Sequence, residues 1–314
     1  MKHNIKINLI LVVIFLLAQF TGLFVVNHYI DHKATSESNS IQWQPLPYDI
    51  ERPEIENQSA SFIYIMVAIL IGTLLFLFMA KLNKPSIWKI WFFTTLWITL
   101  SFSFNSFTNE IAAGIIALLF AIVRIFKPNV IIHNISEIFI YGGLAAIFVP
   151  VMNVFAAFML LIAISVYDMI AVWKTKHMIK LAEFQTKSLS FAGIFIPYKL
   201  SKKNIKAAAK NIKSSNKISK STEKSGENSL HNSTAILGGG DIGFPLIFAG
   251  VVMKSLMLQK TVLEGFLLAS IIPVFSAAAL FILLSKGQKN KFYPAMPFIS
   301  AGCFAGYLVM MMFV

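Results

Sequence analysis

A succession of long apolar segments, separated by short polar stretches, limits this chain to one class of fold. Apolar residues make up 57% of the sequence and charged residues only 13%. A helix of about 20 apolar residues matches the thickness of the hydrocarbon core of a bilayer. Backbone polar groups find no water there, so such segments cross a membrane as helices. The sequence therefore predicts an all-α membrane protein and excludes an ordinary soluble globule.

Nine apolar segments are candidates for transmembrane helices. The fifth and sixth are joined so closely at Pro150 that they must form a hairpin. The nine predicted spans are Ile7–Ile30, Ser61–Ala80, Ile87–Phe104, Ile111–Phe126, Ile135–Phe148, Val149–Trp173, Ile236–Met257, Val262–Leu284 and Pro294–Val314.

Basic residues set the expected orientation of these spans. Most of the net charge of +13 lies in one lysine-rich segment after the sixth span. With the amino terminus cytoplasmic and the carboxyl terminus extracytoplasmic, only a few basic residues fall outside, as the positive-inside rule requires. Those few are Lys33, Arg52, Lys254 and Lys260.

We expect a single polytopic domain over residues 1–314, located in the cell membrane. Residues 1–173 hold spans one to six, residues 174–235 form a basic, partly disordered cytoplasmic loop, and residues 236–314 hold spans seven to nine. Within the loop, the short apolar patch Ser190–Tyr198 is expected to lie at the membrane interface. The loop's lysines favour contact with anionic lipid of the bilayer, and we expect no nucleic acid partner.

Two aspartates lie inside apolar spans. Asp168 belongs to the sixth span and Asp241 to the start of the seventh. A charged residue there costs about 2.5 to 3.5 kcal/mol on insertion scales, so each is a candidate functional residue. Asp168 precedes Lys174 by roughly 9 Å of helix, and Asp241 lies at a similar depth from the cytoplasmic side. Glu137, near the start of the fifth span, is instead expected to be solvated at an interface.

Carboxylates that approach each other in a low-dielectric site share a proton, because both cannot ionise cheaply. One of them can then deprotonate a water molecule while the other protonates a peptide carbonyl, which is aspartic protease chemistry. The alternatives are structural hydrogen bonding, or a proton- or ion-coupled transporter or leak channel that uses the same two residues. Gly238, Gly240 and Gly243 also match G-x-G-x-x-G, but no soluble βαβ unit surrounds them, which disfavours a dinucleotide site.

Three short motifs resemble those of the presenilin and signal peptide peptidase family, whose members are intramembrane aspartyl proteases. They are Tyr167-Asp168, Gly238-Gly239-Gly240-Asp241 and Pro294-Ala295-Met296, which look like the family's YD, GxGD and PAL motifs. The resemblance covers the whole nine-span plan, and the chain looks like an archaeal, presenilin-like member. Prepilin peptidases also carry GxGD, but a lysine usually stands where this chain has Gly243.

The resemblance implies that Asp168 and Asp241 form the catalytic dyad and that Tyr167, Gly238, Gly239 and Gly240 shape the site. It also implies that Pro294, Ala295 and Met296 bind the substrate, with Met296 where the family usually has leucine. Substrates would be proteins with transmembrane helices. No cofactor and no metal is implied, and microbial relatives suggest activity without accessory subunits.

Overall fold

The computed structural model describes residues 5–53, 55–81, 85–127, 129–175, 192–198, 233–287 and 293–314. Helices dominate them, with one small sheet. The helices are α1 (Ile5–His28), α2 (His32–Ser38), α3 (Ser61–Lys81), α4 (Pro85–Asn105), α5 (Glu110–Phe126), α6 (Val130–Phe148), α7 (Val154–Ile170), α8 (Gly240–Leu256), α9 (Val262–Ala269), α10 (Ile271–Lys286) and α11 (Met296–Met311), and the strands are β1 (Gly193–Tyr198) and β2 (Ser233–Gly238).

Five helical segments of the described residues are long and apolar enough to cross a membrane. Large apolar side chains are exposed on their outer faces, as lipid-facing residues would be: Ile71 is 60% and Leu74 66% exposed. An ordinary water-soluble monomer does not expose apolar surface on this scale. The five segments are Ile5–His28, Gln58–Leu75, Val130–Phe148, Val154–Trp173 and Val262–Lys286, and Met296–Met311 is apolar but shorter.

Asparagine caps fix where three consecutive helices begin. The side chains of Asn109, Asn129 and Asn153 accept hydrogen bonds from backbone amides in the first turns of α5, α6 and α7. Such a cap satisfies an amide that has no partner within the helix. The cap at Asn153 lets α7 begin soon after α6 ends at Phe148, so the connection at Pro150 is short.

Two of the predicted spans are not single helices in the structure, and the ends of several others are shifted by up to five residues. The seventh starts as a strand, because residues 236–238 belong to β2 and α8 begins only at Gly240. Consecutive glycines carry the highest entropy cost of helix formation, which favours this late start. The eighth is divided at Ser270 into α9 and α10. Pro273 has no amide hydrogen to bond the carbonyl four residues earlier, which explains the division.

Strand β1, which lies within the basic loop, and strand β2, which begins at its carboxyl end, form a two-stranded antiparallel sheet. Gly193 pairs with Gly238, and the register continues to Tyr198 opposite Ser233. The apolar patch Ser190–Tyr198 thus contributes a strand, which the sequence pattern did not predict. The stretch expected to be disordered, 201–234, ends in β2, because Ser233 and Thr234 belong to that strand, and its residues 201–232 lie outside the described residues.

The sheet and the helix starts around it sit at one end of a helical bundle. Helix α1 packs against α6, α8 and α10. Helices α4 and α6 cross closely at Gly143, where any side chain would collide with the Thr99 carbonyl group. In the same bundle, the side chain of Gln19 donates a 2.8 Å hydrogen bond to the Ile242 carbonyl oxygen. Helix α1 thereby holds the first turn of α8, which carries Asp241.

Candidate active site

Helix α7 carries Asp168 close to its carboxyl end, where the residue is 8% exposed. One carboxylate oxygen, Oδ2, accepts a 3.2 Å hydrogen bond from the backbone amide of Met296. The amide of Ala295 faces the same carboxylate. One turn earlier, the hydroxyl groups of Ser165 and Ser300 are 2.9 Å apart and tie α7 to α11. The start of α11 therefore positions Asp168 through backbone groups.

Asp241 occupies the first turn of α8 and is partly exposed. Its carboxylate accepts a hydrogen bond from the backbone amide of Gly238, the last residue of β2. Gly239 precedes the helix without a side chain that could cap it. An acidic group in this position is favoured by the positive end of the helix dipole. The short turn through Gly238 and Gly239 thus connects the sheet directly to Asp241.

Both aspartates line a single cavity with a volume of about 590 Å³. Its wall is mainly apolar and comes from α3 to α8 and from the start of α11. The charge of Asp168 is close enough to act on Asp241. The polar side chains of the lining are those of Asp168, Asp241, Tyr167, Tyr141, Glu137 and Arg124, with Thr95 and Thr99 on α4.

The remaining residues of the motifs around the two aspartates also lie at this cavity. Gly238, Gly239, Gly240 and Tyr167 line the cavity, and the Tyr167 hydroxyl lies 3.4 Å from that of Thr73 on α3.

Of the three residues Pro294, Ala295 and Met296, only Met296 is part of the cavity wall. Pro294 is buried and Ala295 is partly buried beside it. The structure therefore brings Met296 to the cavity by its side chain and to Asp168 by its amide.

Comparison with known proteins identifies the family of this chain. A family model described as signal-peptide peptidase, presenilin aspartyl protease matches residues 8–314. The chain belongs to this family. It is an intramembrane aspartic endopeptidase of the presenilin type and a multi-pass integral membrane protein.

Solved structures support the same fold. One, a presenilin family intramembrane aspartate protease in the C222 space group, is 18% identical, covers 98% of this chain and 99% of its own, and has a TM-score of 0.59. Another, a presenilin family intramembrane aspartate protease in the P2 space group, is 17% identical, covers 97% of both chains, and has a TM-score of 0.57. No curated protein sequence matches the chain.

This presenilin-family protease has a second acidic site in its cavity, which the sequence pattern did not predict. Glu137 is only 1% exposed, so the expectation that it is solvated at an interface was wrong. One of its oxygens binds the Arg124 guanidinium and the other accepts the Tyr141 hydroxyl. Arg124 also donates a 2.6 Å hydrogen bond to the Ser136 hydroxyl. A buried carboxylate needs such partners to offset its desolvation.

Tyr141 connects this second acidic site to the loop before Asp241. A side-chain carbon built at Gly239 would lie 2.9 Å from the Tyr141 hydroxyl oxygen. The Glu137 carboxylate fixes that hydroxyl, so the tyrosine forms a rigid wall against the glycine turn. A signal was available in the sequence: His133, Glu137 and Tyr141 recur every four residues and share one face of α6.

Proposed function

We propose that this protease hydrolyses peptide bonds within transmembrane helices of other membrane proteins, with Asp168 and Asp241 as its catalytic dyad. The observation that carries the proposal is that these two carboxyl groups, distant in sequence, line one cavity. Each is held by backbone amides, and no cation pairs with either carboxylate among the residues that the structure describes. Such a pair shares a proton, as the chemistry of peptide hydrolysis by two carboxyl groups requires.

The roles of the two groups follow from that shared proton. The ionised member removes a proton from a water molecule, which attacks the carbonyl carbon of the scissile peptide. The protonated member donates its proton to the carbonyl oxygen as the tetrahedral intermediate forms. Proton transfer to the amide nitrogen then releases two peptide products. Tyr167 and the glycines of the turn shape the space beside the dyad.

The substrate must leave its helical form before it is cut, because a peptide bond in a helix is shielded by hydrogen bonds. The sheet formed by β1 and β2 ends at Gly238, three residues before Asp241. An unwound segment that pairs with this sheet regains backbone hydrogen bonds that lipid does not offer. Met296, on the opposite side of the dyad, contacts the segment through its side chain.

The membrane topology that we propose has nine transmembrane helices in a single domain of 314 residues. The amino terminus and the basic loop 174–235 are cytoplasmic and the carboxyl terminus is extracytoplasmic. The charge distribution supports this orientation, and the sheet then faces the cytoplasmic side together with both aspartates. We further propose that the protein resides in the cell membrane and cleaves without accessory subunits.

The test is cleavage of a purified single-span peptide in detergent, with no ion gradient. The wild type is expected to cut the peptide, whereas Asp168→Asn and Asp241→Asn lower the rate at least about 10³-fold, because general acid and base catalysis are lost. Asp49→Asn, in the exposed turn Pro47–Asp49, is the matched control and keeps wild-type activity. Cleavage that survives either dyad substitution contradicts the assignment, and a folded wild type that cuts nothing contradicts the activity.

A further inference from the structure

The first turn of α8, which carries Asp241, is weakly constrained by its own backbone. Pro245 lies within the helix, so the amide hydrogen that would bond the Asp241 carbonyl oxygen is missing. Gly239, Gly240 and Gly243 surround the aspartate in sequence, and glycine loses more conformational freedom on folding than any other residue. No side chain caps the helix at Gly239. A turn of this composition needs a contact from another element to hold Asp241 in one position.

Helix α1 supplies that contact through Gln19, which is fully buried. Its Nε2 donates a 2.8 Å hydrogen bond to the carbonyl oxygen of Ile242, the residue after Asp241. A carbonyl oxygen only accepts hydrogen bonds, so the amide nitrogen of Gln19 must face it. One turn along, a side-chain carbon built at Gly22 would collide with the Leu246 side chain. The two helices are thus in contact at consecutive turns, which fixes the rotation of α8 relative to α1.

Gln19 lies next to the dyad but outside the space where a substrate binds. The cavity wall that the described residues form includes Asp241 and does not include Gln19. Ile242 follows Asp241 directly in the chain, so a shift of its peptide group also moves the aspartate. Loss of the Gln19 hydrogen bond therefore acts on the position of a reacting group and not on the contacts of the substrate.

We propose that Gln19 is a positioning residue of the protease, which holds Asp241 in its reactive place and compensates for the helix hydrogen bond that Pro245 removes. This inference rests on the proposed function, in which Asp241 belongs to the dyad. A displacement of about 1 Å at a catalytic group lowers a rate about 10²-fold. Loss of the Gln19 bond lowers kcat and leaves KM unchanged, as expected for an interaction that does not bind the substrate.

The direct test is Gln19→Met, which has a similar volume and no hydrogen-bond donor. We expect kcat for a single-span peptide to fall at least about tenfold and KM to stay within about twofold. The unfolding temperature is expected to stay within about 3 °C of wild type, because the substitution also removes the buried Gln19 Oε1, which has no partner among the described residues. An unchanged kcat, or a KM that changes as much as kcat, would overturn the proposal.

Gln19→Asn repeats the test if the methionine variant does not fold. It keeps a carboxamide in the same place on α1, but its side chain is shorter and its nitrogen no longer reaches the Ile242 carbonyl oxygen. The same loss of kcat is expected. Wild-type kcat in this variant would overturn the proposal.

The same helix provides a matched control in Asn8. It is also a fully buried carboxamide, but neither of its polar side-chain atoms has a hydrogen-bond partner among the described residues. Asn8→Leu therefore removes a buried polar group without removing a bond, and kcat is expected to stay within about twofold of wild type. A loss of kcat as large as that of Gln19→Met would show that the effect is not specific to the Ile242 bond, and would overturn the proposal.

A second substitution distinguishes positioning from general support of the fold. Pro245→Ala restores the amide hydrogen that bonds the Asp241 carbonyl oxygen, so the first turn of α8 depends less on α1. Alone, it is expected to keep kcat within about threefold of wild type. Combined with Gln19→Met, it is expected to recover at least about threefold of the lost kcat. A double variant no more active than Gln19→Met would overturn the proposal.

Backbone hydrogen exchange separates this inference from the proposed function, because it needs no cleavage. In Gln19→Met the amides of residues 239–244 are expected to exchange faster, while those of residues 247–256 keep their wild-type rates. Unchanged exchange at 239–244 would overturn the role of Gln19. If Asp168→Asn and Asp241→Asn still cleave, the dyad assignment itself fails. If both are inactive while Gln19→Met matches the wild type in kcat and in exchange, only the role of Gln19 fails.

Discussion

Two acidic sites line the same cavity, and they differ in how their carboxylates are bonded. Glu137 is saturated, with Arg124 on one oxygen and Tyr141 on the other. Among the described residues, Asp168 and Asp241 have backbone amides as their partners, and both line the cavity. A carboxylate with a side-chain partner on each oxygen is tied to its neighbours in the fold. The comparison teaches that burial of an acidic residue in a membrane span does not reveal its role, whereas its partners do.

The largest loss of stability is expected when the Glu137 carboxylate, which pairs with Arg124 and Tyr141, is removed. Glu137→Ala leaves the Arg124 charge buried without its carboxylate, which costs about 3 to 5 kcal/mol. The measurement is thermal unfolding of the purified protein in detergent. Replacing Glu137 and Arg124 together by methionine should recover most of the loss. The exposed residue Glu37 supplies the control, since Glu37→Ala should unfold like the wild type; an equally stable Glu137→Ala would contradict the comparison.

A smaller effect is expected in the glycine turn that lies between the two acidic sites. Gly239→Ala places a carbon 2.9 Å from the Tyr141 hydroxyl oxygen, and Glu137 holds that hydroxyl. We expect a cost of about 1 to 3 kcal/mol from overpacking, and cleavage reduced by about 10²-fold as Asp241 is displaced. The control is Gly243→Ala, whose added carbon lies at an ordinary 3.5 Å from the Tyr141 ring. Comparable peptide cleavage by the two variants would show that Tyr141 does not restrain the turn.

The smallest effect is expected at the start of α11. Met296→Leu conserves side-chain volume and retains the backbone amide that binds Asp168, so the stability change should stay below about 1.5 kcal/mol. Peptide cleavage should remain within about threefold of wild type. A large loss of cleavage would mean that Asp168 depends on the Met296 side chain rather than on its amide.

Some of this architecture was predictable because the signals are local. Each apolar segment is continuous in sequence, and the motifs around Asp168 and Asp241 lie in adjacent residues. Other features depend on partners far along the chain. The pairing of β1 with β2 joins residues on either side of a long basic loop, and nothing in β1 alone distinguishes an interfacial segment from a strand. Glu137 was misjudged because its burial depends on pairing with Arg124, which belongs to another helix.

The most direct test of the comparison makes the same chemical change, acid to amide, at one carboxylate of each kind. Peptide cleavage and thermal unfolding are measured side by side for Asp241→Asn and Glu137→Gln. Our account predicts that Asp241→Asn abolishes cleavage while the unfolding temperature stays the same or rises, and that Glu137→Gln lowers the unfolding temperature and retains measurable cleavage. Abolished cleavage in a fully stable Glu137→Gln variant, or cleavage that persists in Asp241→Asn, would contradict it.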